Sequence, residues 1–313
     1  MAQVLNYHDA VVYDTDVALF GDGEWLNDNC INWFFRVLEH EVFPGRTDLL
    51  FMDPAVVSCM MNQCDDLEEY EDLGRGLELA TRSMVFVPVN NAAGPFSRGS
   101  HWSLLVFERG DAGGDKRRSG MRFRHFDSSE GSNRTPAELT AAKFVQMLDE
   151  KTVGDDKPSR VEHVRDAPQQ RNAFDCGMYT ILLAERLALK APAATAAVSQ
   201  QSSTTPTPPM VASAVTGVPG TNRNPRQDNG AAPGGKGEGV GTGGDAGGGS
   251  GSGDGLCSGG VGREKVSVAA EASGSGGDSR AVEKMVITPE FVSSARTLAL
   301  ERLTRCIENQ GRC

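Results

Sequence analysis

Cys176 lies in the stretch "QQRNAFDCGMYT", between Asp175 and Gly177, directly ahead of an apolar run. That run, "CGMYTILLAERLALK", has the pattern of a strong helix, so the cysteine would open it. A helix start presents N–H groups without acceptors and the positive end of a dipole. Both stabilise a thiolate. Gly177 removes side-chain bulk beside the sulfur, so another chain could approach it closely. Asp175 is well placed as a helix cap. Taken alone, a single cysteine is more often a small buried hydrophobe than a nucleophile.

A nucleophilic thiol needs a base, and the base needs an orienting group. The chain has five histidines. His8 and His40 fall on an N-terminal strand and a helix end, with no chemistry nearby in sequence. His163 follows Glu162 in a short strand and is expected to be exposed. His101 begins a strand straight after "NNAAGPFSRGS", and Asp127 ends the next strand, "RFRHFD". If those strands pair, His101 and Asp127 lie at the same end of the sheet. The carboxylate can then hold the imidazole tautomer while the other ring nitrogen faces the thiol. His125, two residues before Asp127, is the competing base. His101 is preferred because its loop and Trp102 put it at the edge of a cleft. Gln170 supplies a fourth part, an amide able to donate to a developing oxyanion beside the backbone N–H of Cys176. One such donor is typically worth about 10²–10³ in rate. Gln169 reads as a solvated loop residue.

The elements that must position these groups are mixed. "NDNCINWFFRVLEHEVF" sets Ile31, Phe34, Phe35, Leu38 and Val42 on one helical face, behind Asn27 or Asp28 as cap. "DPAVVSCMMNQC" repeats the signature with an aspartate cap and a first-turn proline. "MVFVPVN", "HWSLLVF" and "RFRHFD" read as three strands, and "VEHV" as a short fourth. "TPAELTAAKFVQML" reads as a helix opened by a capping box from Thr135 to Glu138. Helices and strands in this order make an α+β domain.

Composition changes sharply after residue 190. From Ala191 to Arg280 there is no aromatic residue and no histidine, and the segment holds 22 of the 37 glycines. Such a segment cannot bury enough apolar surface to offset its ordering entropy. The expected organisation is a catalytic domain over 1–190, a disordered insertion over 191–281, and a C-terminal helix over 282–313 that packs back on the domain. In that helix Thr288 suits the cap and Pro289 the first turn. Val292, Ala295, Leu298 and Leu303 give it an apolar face.

The formal charge of the 313-residue chain is −11, which opposes a phosphate-tracking role, so no nucleic-acid partner is expected. No run of about 18 apolar residues is present, so no membrane partner is expected either. Seven scattered cysteines without a secretory leader read as reduced thiols of an intracellular protein. Cytoplasm and nucleus both fit. Cys59 and Cys64 have no histidine near them in sequence, and no metal or cofactor is expected.

Four blocks then carry a resemblance: "EWLNDNCINWFF", "HWSLLVF", "HFDSSEG" and "QQRNAFDCGMYT". They resemble the motif blocks of the ubiquitin-like-protein proteases, the sentrin-specific cysteine peptidases, and come in that family's order. "VITPEFVSSAR" is similar to the terminal helix of its small deneddylating branch. The resemblance implies a papain-like cysteine protease fold with a central mixed sheet flanked by helices and the nucleophile at a helix N-terminus. It implies Cys176 as nucleophile, His101 as base, Asp127 as orienter and Gln170 in the oxyanion hole. It implies that Trp25 and Trp102 cover a tunnel admitting only the Gly-Gly end of a modifier, and that Asp28 lies near the modifier tail. Unaided, the tryptophans read as core residues and Asp28 as a cap; Trp33, in mid-helix, keeps the core reading.

The expected function is therefore a cysteine isopeptidase and endopeptidase acting on a ubiquitin-like modifier and its lysine-linked conjugates, with the chain a monomer. The neddylation modifier is favoured and SUMO comes second. A Cys/His acyltransferase would turn over acetyl-coenzyme A, and an inactive binding module should have lost one of the four polar groups.

Overall fold

A computed structural model describes residues 1–92, 94, 97, 99–110, 120–148, 160–192 and 286–310. The stretch expected to be disordered, apart from residues 191 and 192, and residues 111–119 between the second and third expected strands lie outside the described residues.

A hairpin of β1 (Gln3–Tyr7) and β2 (Ala10–Tyr13) opens the chain. His8 and Asp9 turn it in the left-handed region, with φ of 45° and 74°. A short α1 (Asp14–Ala18) leads to α2 (Asp28–Val37), which runs on as a π-helical turn over Leu38–Val42. Asn27 caps α2 by accepting from the Cys30 N–H at 3.0 Å, so Asp28 is left free of that role. Ile31, Trp33, Phe35 and Leu38 are buried, while Phe34 and Val42 are half-buried.

The central sheet has the order β3 (Leu49–Phe51), β4 (Met84–Asn90), β5 (Trp102–Arg109), β6 (Met121–Phe126), β7 (Val161–His163). Its two outer pairings are parallel and its two inner ones antiparallel, so it is mixed. Between β3 and β4 come α3 (Pro54–Asn62), capped by Asp53, and α4 (Leu67–Gly76), capped by Asp66. Between β6 and β7 lies α5 (Arg134–Gln146). The expected capping box fails there. Thr135 sits inside the helix, Asn133 holds the cap position, and Glu138 accepts from His163 instead. His163 is accordingly half-buried rather than exposed.

Period-2 alternation splits the sheet residues between two cores. Leu104, Val106 and Phe126 join α2 and the nucleophile helix, α6 (Cys176–Lys190). Leu105, Phe107 and Phe123 join α3, α4 and α5 on the other face. The last helix, α7 (Pro289–Gln310), buries Val292, Ala299 and Leu303 in the first core. Thr288 accepts from the Phe291 N–H at 3.2 Å, as a cap does. Leu298 faces solvent at 41% exposure, and Ala299 takes the place expected for it. Among the described residues no helix is long and apolar enough to cross a membrane.

Candidate active site

The pairing of β5 with β6 brings His101 and Asp127 together. The ladder matches Leu104 with Phe126 and Arg109 with Met121, so the start of β5 meets the end of β6. His101 Nε2 and Asp127 Oδ1 lie 2.6 Å apart, both residues buried. Asp127 also accepts the N–H groups of Ser129 and Asn133, each at 3.0 Å. Burial alone would raise its pKa, but these three donors hold it below the usual carboxylate range. Burial likewise disfavours the charged form of His101. Its hydrogen bonds to Asp127 and Cys176, with their charges, outweigh burial and bring it up to about 9. The imidazole is thus held between the carboxylate and the thiol.

Asn133 is a functional residue that motif reading missed. It is wholly buried. Its amide donates to the carbonyls of Val89 and His101 and to Ser103 Oγ, at 3.0–3.2 Å. It therefore fixes the backbone of His101 while its own N–H holds Asp127. Nothing in "GSNRTP" distinguishes it from an ordinary helix cap.

His125 is not the base. It is buried on the sheet face away from α6, with Nε2 2.9 Å from Ser103 Oγ and Nδ1 3.0 Å from His163 Nδ1. Burial drives its pKa down to about 4, so it is neutral near pH 7.

Cys176 is the first residue of α6 and only 2% exposed, so its N–H has no acceptor within the helix. Asp175 occupies the cap position but does not cap. Its carboxylate turns to Arg296 and to Asn172. Gly177 is required by the protein's own packing. A Cβ there would stand 2.8 Å from Leu26 Cβ. Leu26 in turn offers its carbonyl to the indole N–H of Trp102 at 3.0 Å. Trp102 is 8% exposed, while Trp25, one residue before Leu26, is 45% exposed. Gly177→Ala gains up to ~1 kcal/mol of helix propensity, but overpacking against a pinned, buried Leu26 costs about 1–3 kcal/mol and should win. Thermal unfolding should show a lower midpoint, with kcat falling as the Leu26–Trp102 link shifts.

Gln170 is oriented by its neighbours. Ser128 Oγ donates to Gln170 Oε1 at 2.7 Å, and Gln170 Nε2 donates to the Asn172 carbonyl at 2.6 Å. A flipped amide would face its oxygen to that carbonyl, so the orientation is fixed. One amide hydrogen is left for a developing oxyanion. Ser128, itself buried, thus aims Gln170. Ser128→Ala should lower kcat about tenfold, part of the loss expected for a missing oxyanion donor, at unchanged KM. The same change in a Gln170→Ala background should cost nothing more. Gln169 is not merely solvated: its amide donates to the carbonyls of Asp127 and Ala167.

Asp28 is exposed at the start of α2. Partial desolvation of its carboxylate raises its pKa; its own backbone N–H opposes the rise and the Asp53 charge adds to it. A cation brought to this carboxylate would relieve the cost.

A thiol at a helix start against a buried histidine–aspartate pair, on a mixed sheet flanked by helices, defines a cysteine-type peptidase of papain-like architecture. Residues 24–203 match the model of the Ulp1 protease family, C-terminal catalytic domain. The chain is 33% identical to sentrin-specific protease 8 of Homo sapiens, over 59% of this chain and 80% of that protein. It is 27% identical to NEDD8-specific protease 1 of Arabidopsis thaliana, over 58% of this chain and 74% of that one. Among solved structures it is similar to the C-terminal Ulp1 protease domain in complex with Smt3, the yeast orthologue of SUMO. That similarity has a TM-score of 0.45 at 19% identity and covers 62% of this chain and 79% of that one. On the family model and the sequence relatives, the chain belongs to the Ulp1 protease family.

Proposed function

We propose that the chain cleaves after the C-terminal Gly-Gly of a ubiquitin-like modifier, foremost the neddylation modifier, both from lysine conjugates and from precursors. The observation that carries this reading is the buried His101–Asp127 pair bonded to a thiol at the start of α6. The Cys176 thiolate attacks the carbonyl carbon of the modifier's last glycine. The oxyanion that forms takes hydrogen bonds from the Cys176 N–H and the Gln170 amide. His101 gives its proton to the leaving amine as the C–N bond breaks. Water, deprotonated by His101, then attacks the thioester and frees the modifier carboxylate and the thiol. Asp127 keeps the imidazole ring in place throughout.

Trp102 bonds to the carbonyl of Leu26, next to Trp25, and the two indoles would cover a tunnel too narrow for side chains. A Gly-Gly tail fits that restriction. Asp28 suits a basic residue further back in the tail. The chain acts as a monomer, in cytoplasm or nucleus. The neddylation modifier is favoured because relatives named sentrin-specific protease 8 and NEDD8-specific protease align over most of their own length. A panel of fluorogenic C-terminal derivatives of the neddylation modifier, SUMO and ubiquitin tests this directly. Release from the first alone is expected. Release from SUMO alone would keep the chemistry and overturn the choice of modifier.

A further inference from the structure

Arg296 lies on α7, 120 positions after the nucleophile in sequence, yet its guanidinium is buried beside it. All five of its N–H donors are engaged. Nε donates to Asp175 Oδ1 at 2.9 Å. Nη1 donates to the carbonyls of Leu19 at 3.2 Å and Gly21 at 3.1 Å. Nη2 donates to the carbonyls of Glu24 at 2.8 Å and Phe174 at 3.2 Å. The guanidinium carbon also stands 5.8 Å from the centre of the Phe174 ring. Three of these bonds fasten the loop that ends in Trp25. The other two fasten the residues immediately before Cys176. One side chain thus joins two walls of the active site.

The Asp175 carboxylate gives this arrangement an electrostatic side. It precedes the nucleophile by one residue, and neither oxygen caps the helix. Oδ1 takes the Arg296 bond and Oδ2 accepts from Asn172 at 2.7 Å. A bare carboxylate there would oppose charge on the sulfur. The charged groups around this point come from several elements. His101, just before β5 and backed by Asp127, faces the thiol. Arg171, in the loop ahead of α6, and Glu290 of α7 act together with Asp175 on Tyr179 of α6. Arg296 faces Asp175 from α7 and acts at longer range on Cys30 of α2, next to Asp16 of α1.

We propose that Arg296 is a positioning residue for catalysis: it neutralises Asp175 beside the nucleophile and holds the Trp25 loop against the start of α6. This rests on the reading of Cys176 as nucleophile. It makes the helix beyond the glycine-rich stretch part of the active site. A lysine would keep one positive charge but could not fill five acceptors from a planar fork.

The test is the pH dependence of kcat/KM, with separate KM and kcat, for the full chain and four variants on a fluorogenic modifier derivative. In Arg296→Met the acid limb should move up by about half to one pH unit, as an unpaired like charge dictates, and KM should rise severalfold. Adding Asp175→Asn to Arg296→Met should return the acid limb but not KM. Asp175→Asn alone should move the acid limb down, and Arg296→Lys should raise KM with the limb in place. The last two keep the proposal open to refutation if Arg296→Met fails to fold. An acid limb unmoved by Asp175→Asn, or a KM unchanged in Arg296→Lys, would overturn it. Loss of the nucleophile reading itself would show separately, as wild-type turnover that survives Cys176→Ala.

Discussion

Replacing Cys176 by alanine is expected to reduce turnover of a modifier derivative to background, on the order of 10⁴-fold or more, with modifier affinity unchanged. The large effect follows from the absence of a substitute nucleophile among the described residues. Cys30 is fully buried, its thiol donates to the Asp16 carbonyl, and burial pushes its pKa up to about 12. Cys64 lies in the opposite core, and Cys59 and Cys306 pack at the edges of the two cores. None is placed against His101. The small effect on binding follows from the lost volume, one sulfur, while Trp25, Asp28 and Trp102 keep their places. Equilibrium binding and single-turnover rates on the same preparation would separate the two. Residual turnover above about 1% would sink the assignment, since it exceeds what a site without its nucleophile retains.

Asp127→Asn should come second, lowering kcat by about 10²–10⁴ through loss of the ring's orientation and of imidazolium stabilisation. It should also move the basic limb of the rate profile. His101 stands at about 9 against an ordinary 6.5, and burial works against that rise. With the carboxylate gone, burial prevails and the limb should fall by more than a pH unit. The stability effect has a defined sign. A folded-state pKa raised from 6.5 to about 9 gives stability that is full below 6.5 and is lost as pH rises through 9. The depressed Asp127 contributes above its ordinary 3.8 and loses its contribution as pH falls below that. Asp127→Asn should therefore destabilise most between about 4 and 6.5, and least above 9. Thermal unfolding across pH would check this, and a uniform loss at every pH would contradict it.

The parts of this site that could be read in the sequence are those set by local pattern. The alternation of "HWSLLVF" and "RFRHFD" gave two strands that pair as a hairpin, and hairpin register alone puts His101 beside Asp127. The apolar run after Cys176 gave the helix start. What escaped were choices made by tertiary partners. Asp175 looked like a cap, but Arg296, far along the chain, takes its carboxylate. Thr135 and Glu138 matched a capping box, but His163 claims the glutamate. Gly177 suggested open space that Leu26 in fact fills. His125 matched a base by its place next to Asp127, but it faces away from α6, and Ser103 and His163 engage both of its ring nitrogens. The strand expected around His8 is a hairpin, β1–β2, with His8 in its turn, and β3 escaped notice, being too short for an alternating run.

The most direct test of Cys176 as the acylated nucleophile is covalent capture. The full chain would be mixed with the neddylation modifier carrying a C-terminal electrophile, and the adduct mapped by peptide mass spectrometry. One adduct per chain, on Cys176 and absent from Cys176→Ala, is the predicted result. An adduct on any other residue, or none from protein shown to be folded, would contradict it.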